Sequence, residues 1–338
     1  MATKSGRTIS NARELSLKSL IVRWEFLLIL IFVAVNIMNA NLSPVYLNEK
    51  FLFINIRGFM VKGILALPMA YLLLLGDIDL SVGGNVCLSA TVLGIVYNTT
   101  GNMVLAIAAC LLTGTLCGAL NGILLTKFTE LAPMIVTLAT NIIFRGISER
   151  ILGDGSTGGM QEVEWFTQLY YGRVAELVPY LVIIFCVLAL VFGLVMHKTV
   201  FGRQMFAIGA NKKAAAYAGV KVEKIRMIVF TLTGLVCGFA AIFDCANMGS
   251  VKSNLAKGYE LEAIAMCVLG GISTAGGKGT MVGAVISVFI IGLLRYGLGL
   301  ANFSGQTIRI ILGALLIAVV LYPTIQEAIK NRFAKKAK

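Results

Sequence analysis

Charged side chains are scarce in this chain of 338 residues: Asp, Glu, Lys and Arg make up 13% of it, whereas 58% is apolar. A typical soluble domain carries roughly 25% charged residues. The apolar residues also fall in long runs that charged residues seldom interrupt. This composition excludes a soluble domain of useful size and predicts an all-α integral membrane protein.

Residues that carry metal or acid–base chemistry are equally sparse. His197 is the only histidine, and neither a cysteine nor a carboxylate cluster lies beside it in the sequence. The seven cysteines lie in or beside apolar segments and lack the paired spacing of a metal site. They are Cys87, Cys110, Cys117, Cys186, Cys237, Cys245 and Cys267. We expect them to be small packing residues, and we expect no metal site and no catalytic residue.

Basic residues outnumber acidic ones, 29 to 16, and give a formal net charge of +13. In a soluble protein this excess would suggest nucleic-acid binding, but here the basic residues flank apolar segments. Most of them precede the first apolar run, follow the last one, or lie in residues 197–226. The positive-inside rule therefore predicts that both termini are cytoplasmic. No convincing cleavage site follows the first apolar run, so we expect it to be an uncleaved anchor.

The apolar pattern predicts about ten membrane spans within a single membrane-embedded domain that covers residues 1–338. The predicted spans are residues 24–40, 59–75, 82–96, 103–126, 131–151, 176–196, 225–247, 260–269, 280–298 and 307–322. An even number of spans keeps both basic termini on one side. In the fourth span, Gly114, Gly118 and Gly122 form a stripe of small residues that favours close helix packing.

A polar interval, residues 197–226, connects the sixth and seventh spans and is the largest internal concentration of positive charge. Its middle predicts a short helix, because Asn211 is a good N-terminal cap, alanines follow and Gly219 can end the helix. Two interpretations fit this segment. It is either a docking site for a soluble partner or a connector whose lysines only fix the topology.

Two glycine-rich turns connect apolar segments: LGDIDLSVGGN between the second and third spans, and LGGISTAGGKG between the eighth and ninth. The first turn contains Asp77 and Asp79. Their position in a glycine-rich turn favours a structural role as turn caps, and ion coupling or gating are the alternatives. If spans two to five and seven to ten are equivalent units, the second unit starts on the opposite side of the membrane. That arrangement is an inverted repeat, which is common in transporters.

The second turn does not match a nucleotide-binding loop. A Walker motif that ended at Lys278 would need glycine at position 272, where isoleucine stands, and serine or threonine at position 279, where glycine stands. We therefore expect that the chain hydrolyses no nucleotide.

Together, the polar interval and both turns resemble the permeases of bacterial ribose-type ABC importers, and the similarity extends over most of the chain. In the polar interval the matching residues include Gly202, Arg203, Gly209, Asn211, Ala214, Ala215 and Gly219. In the turns they include Asp79, Ser81, Gly83, Gly270, Gly271, Ser273, Gly276 and Gly277. Two residues depart from the pattern of the family: Ala218 replaces the usual serine, and Asp77 replaces the usual glycine.

This resemblance implies a type II-like ABC importer permease in the bacterial inner membrane. Its expected partners are one or two ABC ATP-binding subunits, a substrate-binding protein, membrane lipid and a second permease, either a copy or a similar chain. The polar interval would seat its helix in a cleft of the ATP-binding subunit, and ATP and Mg²⁺ would be used there, with no cofactor bound by this chain. The expected substrates are sugars or sugar-like molecules: ribose, other pentoses, rhamnose, galactose or autoinducer 2.

A hydroxyl-rich neutral solute needs hydrogen-bonding groups along its path but no tight site. We therefore predict a pathway of small or neutral polar residues at the repeat interface, where span five faces the start of span ten, with no need for charged residues. The residues are Thr137, Thr140, Asn141, Asn302, Gln306 and Thr307. An alternative role for their hydroxyl and amide groups is hydrogen bonding between helices.

Two other classes of function compete with the importer. An ion-coupled secondary transporter would use Asp77, Asp79 and Asp244 as charge carriers. A membrane enzyme has little support, because His197 is isolated in the sequence.

Overall fold

The computed structural model describes residues 24–315, 317 and 321, and it is almost entirely helical. The basic N-terminal segment, the basic tail and the end of the tenth predicted span lie outside the described residues. The long helices are α1 (Trp24–Leu42), α2 (Glu49–Leu75), α3 (Val82–Thr100), α4 (Met103–Lys127), α5 (Pro133–Leu152), α7 (Tyr180–Lys198), α10 (Val222–Met248) and α12 (Met281–Leu300). Shorter helices are α6 (Glu164–Tyr171), α8 (Val200–Ala210), α9 (Lys212–Tyr217), α11 (Tyr259–Leu269) and α13 (Gly305–Leu315).

Among the described residues, six helices are long and apolar enough to cross a membrane: α1, α2 from residue 55, α4, α7, α10 and α12. This confirms an integral membrane fold. The other predicted spans are helical where the structure describes them, but α3 and α5 are not among the helices that are long and apolar enough to cross a membrane, and α11 has only 11 residues. The prediction of ten spans therefore remains a prediction.

Helix α2 forms the centre of the bundle. From Phe59 to Leu75 it is apolar on all sides apart from Lys62, and nearly every side chain there is buried. A helix that is apolar on all sides is stable only when neighbours surround it. Helices α7, α8, α10, α11 and α12 pack against α2. Helices α1, α4, α5 and α7 expose many large apolar side chains, as expected of surfaces that face lipid.

The glycine stripe of α4 packs against α10, as predicted. A Cβ atom on Gly114 or Gly118 would overlap the backbone of Gly234 in α10, and a Cβ atom on Gly234 would overlap the same two residues in return. Small residues at such a crossing let two backbones approach closely. This contact is the most extensive between any two helices in the described part of the chain.

Several predicted boundaries were wrong. Helix α2 begins at Glu49, ten residues before the predicted span, and α3 continues to Thr100, four residues beyond its predicted span. Helix α7 begins at Tyr180, after the two-residue strands β1 (Arg173–Val174) and β2 (Val178–Pro179). The long loop between α5 and α7 contains α6 and a 3-10 turn (Met160–Glu162), and the polar interval contains two helices, α8 and α9.

Candidate functional site

The polar interval begins with a sharp turn from α7 into α8. The Thr199 side chain caps α8 by accepting a hydrogen bond of 3.2 Å from the Gly202 amide, and its hydroxyl donates to the Val195 carbonyl at 2.6 Å. A Cβ atom on Gly202 would overlap the Met196 carbonyl. Glycine is therefore required there, because α8 folds back onto the end of α7.

The C-terminal end of α8 lies against both glycine-rich turns. A Cβ atom on Gly209 would overlap the Leu74 carbonyl at the end of α2 and the Gly277 amide in the second turn. The Gly277 amide itself donates to the Leu74 carbonyl at 2.8 Å. Gly276 and Gly277 both have positive φ angles, +88° and +71°, which other residues rarely adopt.

The two turns therefore meet at the same end of the bundle. In an inverted repeat, the counterpart of a turn lies at the opposite end. These two turns are consequently not counterparts of each other, although both resemble the family pattern. The inverted repeat itself stays a prediction.

Asp79 holds the first turn at the start of α3. Its Oδ1 atom accepts hydrogen bonds from the Ser81 amide at 2.8 Å and from the Ser81 hydroxyl at 2.6 Å. The Asn121 side chain of α4 donates to the same hydroxyl oxygen at 2.7 Å. Burial raises the pKa of the Asp79 carboxyl, and the hydrogen bonds from Ser81 act in the opposite direction. The geometry is that of a turn cap.

Asp77 forms a buried ion pair with Arg226 near the start of α10. The guanidinium donates from Nε to Oδ2 at 2.6 Å and from Nη2 to Oδ1 at 3.0 Å, which is a bidentate contact. Its Nη1 atom donates to the Leu125 carbonyl of α4 at 2.8 Å. This cluster connects Arg226, the last residue of the polar interval, to the ends of α2 and α4.

Helix α9 is a surface helix that contacts α8 and α10. The Asn211 side chain caps it by accepting a hydrogen bond of 3.0 Å from the Ala214 amide, as predicted from its sequence. Ala215 is the only residue of α9 with a buried side chain, and Tyr217 is 93% exposed. Gly219 follows with a φ of +83° and turns the chain toward α10. Arg203 of α8 is also exposed.

This placement separates the matching residues into two groups. Gly202, Gly209 and Ala215 contact other parts of this chain, so they fix the position of the segment. Arg203, Asn211, Ala214 and Gly219 are exposed and available to a partner. A bulky residue at 209 or 215 would therefore disturb this chain before it disturbed any partner.

The remaining turn residues mostly mark close backbone contacts. A Cβ atom on Gly83 would overlap the Glu260 carboxylate of α11, and one on Gly270 would overlap Ala284 of α12. Gly271 packs on the ring of Trp24 in α1. Ser273 donates its amide to the Lys278 carbonyl at 3.0 Å and closes the second turn.

The predicted pathway residues occupy two places. Thr137 and Thr140 of α5 are buried, and the Thr137 hydroxyl oxygen accepts a hydrogen bond of 3.0 Å from the Leu80 amide of the first turn. Asn141 packs on Gly84 of α3. Of the others, Asn302 lies in the turn before α13, and Gln306 and Thr307 lie in its first turn. Their role in a pathway stays a prediction.

The apolar bundle also contains a charged cluster that was not predicted from the sequence. Lys62 of α2 donates to both carboxylate oxygens of Glu262 in α11, at 2.8 and 2.7 Å. Arg295 of α12 donates to Glu262 Oε1 at 2.6 Å. The signal was present in the sequence, because ionisable residues within apolar spans are rare and require partners. In the described part of the chain, no group of three or more His, Cys, Asp or Glu residues is arranged to hold a metal ion.

Comparisons with known proteins agree with this architecture. A family model described as "Branched-chain amino acid transport system / permease component" matches residues 52–320. The chain is 32% identical over 320 residues to "Autoinducer 2 import system permease protein LsrD" of Escherichia coli (strain SMS-3-5 / SECEC), which covers 93% of this chain and 97% of that protein. The proteins of the same name from Escherichia coli (strain K12) and Shigella flexneri match with the same identity and coverage. No solved structure matches the chain.

Proposed function

The chain belongs to the branched-chain amino acid transport system / permease component family, among the permeases of ribose-type ABC importers, and on this premise we propose that it serves an ATP-driven importer. As a permease it is a transport subunit and not an enzyme. A separate ATP-binding subunit would hydrolyse ATP with Mg²⁺, and a periplasmic or extracellular binding protein would deliver the solute. The chain would lie in the bacterial inner membrane beside a second permease.

The observation that carries this proposal is the placement of α9. The helix is exposed along its outer side and contacts α8 and α10, and Gly209 of α8 packs on the Leu74 carbonyl at the end of α2. A force applied to α9 would therefore reach the central helix α2 through α8. Such a connection between a surface helix and a bundle core is what an energy-coupling site needs.

The geometry gives little support to ion coupling by Asp77 or Asp79. Asp77 has both carboxylate oxygens engaged by Arg226, and Asp79 caps the first turn through Ser81. A carboxylate that carries ions must exchange its partners during transport. Both aspartates instead hold structural positions at the base of the polar interval.

For the solute, we propose autoinducer 2 or a closely related sugar-like molecule, because the similar proteins are named for autoinducer 2 import. Ribose, other pentoses, rhamnose and galactose remain alternatives. We also propose ten membrane-spanning segments in one domain over residues 1–338, with cytoplasmic termini and an inverted repeat of spans two to five and seven to ten. In this arrangement α8 and α9 would lie in the cytoplasm.

Tyr217 provides the test of the coupling role. A large aromatic side chain that is 93% exposed has no packing function in this chain, whereas buried aromatic anchors dominate many protein interfaces. We expect Tyr217→Ala to weaken binding of the ATP-binding subunit by about 2 kcal/mol, or roughly 30-fold. The measurement is the affinity of purified permease for that subunit in detergent.

Two controls make the result specific. Tyr217→Phe keeps the ring and should bind nearly as well as the unmodified chain. Trp165→Ala removes an exposed aromatic from α6, near the opposite end of the bundle, and should change nothing. If Tyr217→Ala bound the ATP-binding subunit with unchanged affinity, α9 would not be the docking helix.

A further inference from the structure

The cluster of Lys62, Glu262 and Arg295 lies deep in the bundle. Counted along α2, Lys62 is about 20 Å from the helix end at Leu75, at 1.5 Å per residue. Counted along α12, Arg295 is about 21 Å from the helix start at Met281. Both helix ends lie beside the second glycine-rich turn, so the two distances are measured from the same end of the bundle and agree. Lys62 is at the midpoint of α2, and Arg295 is five residues, about 8 Å, from the other end of α12, so the cluster lies between the middle of the bundle and the end away from α8 and α9.

The cluster opens to one side. Lys62 is 11% exposed, whereas Glu262 is 22% exposed and Arg295 is 37% exposed in the single chain. Charged side chains at such a depth do not face lipid; they face a water-filled cavity or another part of the protein. The side of the bundle formed by α11 and the second half of α12 must therefore be covered by water or by protein.

The backbone beside the cluster is irregular. Helix α11 is only 11 residues long, about 16 Å, and the non-helical segment 249–258 leads into it. Within this segment Val251, Leu255 and Ala256 are buried, and the Arg145 guanidinium donates to the carbonyls of Ser253 and Leu255 at 3.0 and 3.1 Å. Non-helical backbone at membrane depth is tolerated where it is buried or lines a cavity, and short half-helices recur at solute sites.

The net charge and the hydrogen-bonding groups of the cluster suit one class of solute. Asp244 lies beside the cluster, because the Tyr259 hydroxyl donates to Asp244 Oδ1 at 3.5 Å and the Lys62 ammonium lies 4.9 Å from the centre of the Tyr259 ring. The two basic and two acidic side chains together have no net formal charge. Asp244 is buried, and within the described structure its Oδ2 atom has no hydrogen-bond partner. Such an atom is usually met by water or a ligand. A carboxylate accepts hydrogen bonds and a guanidinium donates them, which suits adjacent hydroxyl groups on a neutral molecule.

We propose that Glu262 and Arg295 line the outer half of the translocation pathway and contact the hydroxyl groups of a neutral polyhydroxylated solute. This inference rests on the proposed importer function and specifies where its solute passes. It revises the sequence-based expectation that charged residues would be absent from the pathway. Lys62 is a positioning residue, because it holds the Glu262 carboxylate from the buried side.

Thiol labelling in proteoliposomes tests the exposure of these positions. Cys186 is the one exposed cysteine among the described residues, so Cys186→Ala provides a background with six buried thiols. In this background Glu262→Cys and Arg295→Cys should react with a water-soluble maleimide in at least one nucleotide state. Leu116→Cys, on the lipid-facing side of α4, is the matched control and should not react.

Solute protection and transport complete the test. In one experiment autoinducer 2 is added together with the binding protein, and in another ribose is added in the same way; one of the two solutes should slow labelling several-fold. In the transport assay, Glu262→Gln should lower uptake at least tenfold while the ATP-binding subunit stays bound. If Glu262→Gln fails to fold, labelling of Arg295→Cys still tests the inference, because that variant keeps the Lys62–Glu262 pair. Labelling no faster than at position 116, or labelling that neither solute slows, would overturn the inference. Failure of the importer proposal can be distinguished from failure of this inference, because the unmodified chain would then show no ATP-dependent uptake.

Discussion

At the scale of single residues, the Asp77–Arg226 pair is a buried interaction whose loss should lower stability. Both side chains are buried, and removing one partner of a buried pair leaves the other charge without compensation. We expect Asp77→Asn to lower the free energy of unfolding by about 3–5 kcal/mol. The measurement is thermal unfolding of the purified chain in detergent.

Two comparisons identify the cause of that loss. Asp154→Asn, in an exposed loop, should leave the melting temperature unchanged. Asp77→Leu combined with Arg226→Met removes both charges and should cost less than Asp77→Asn alone, because replacing a complete pair by apolar residues is often neutral. An Asp77→Asn variant as stable as the unmodified chain would show that the pair is not needed.

The same pair shows how far the sequence could predict the site. The family resemblance located the polar interval and both turns, and it marked Asp77 as a departure from the pattern. It could not show that Arg226, 149 positions away, supplies the compensating charge. For the same reason the sequence did not separate Gly209 and Ala215, which face inward, from Ala214 and Tyr217, which face outward. Which side of a helix is covered depends on tertiary packing.

At the scale of helices, the crossing of α4 and α10 depends on glycine. We expect Gly118→Leu to destabilise the chain by at least about 1–3 kcal/mol, because the new side chain would overlap the backbone of Phe230 and Gly234. Gly146→Leu in α5 is the matched control, since a Cβ atom there meets nothing within 4 Å. Melting temperatures in detergent should fall for the first variant only. Equal melting temperatures would contradict the close crossing.

Helix identity was more predictable than helix length. Apolar runs located the cores of α1, α2, α4, α7, α10 and α12, because burial in lipid requires continuous apolar sequence. The extension of α2 to Glu49 and the shortness of α11 were not predictable from hydropathy. The segment before α11 is held by hydrogen bonds from Arg145, which lies more than a hundred residues earlier in the chain.

At the scale of the whole molecule, two polar regions lie at different depths of one apolar bundle. The region around α8, α9 and the glycine-rich turns is suited to receive energy from a partner. The cluster around Glu262 is suited to contact a solute. Helix α2 contributes to both, because its end at Leu74 meets Gly209 and Lys62 on the same helix binds Glu262. A shift of α2 would therefore couple the two regions.

The most direct test of this account is uptake of labelled autoinducer 2 into proteoliposomes that contain the chain, its partner permease and the ATP-binding subunit, with the binding protein outside the vesicles. The account predicts uptake when ATP is present at the cytoplasmic face and no proton or sodium gradient exists. It also predicts that Tyr217→Ala reduces this uptake while Trp165→Ala does not. Uptake that required an ion gradient and continued without ATP would contradict the account.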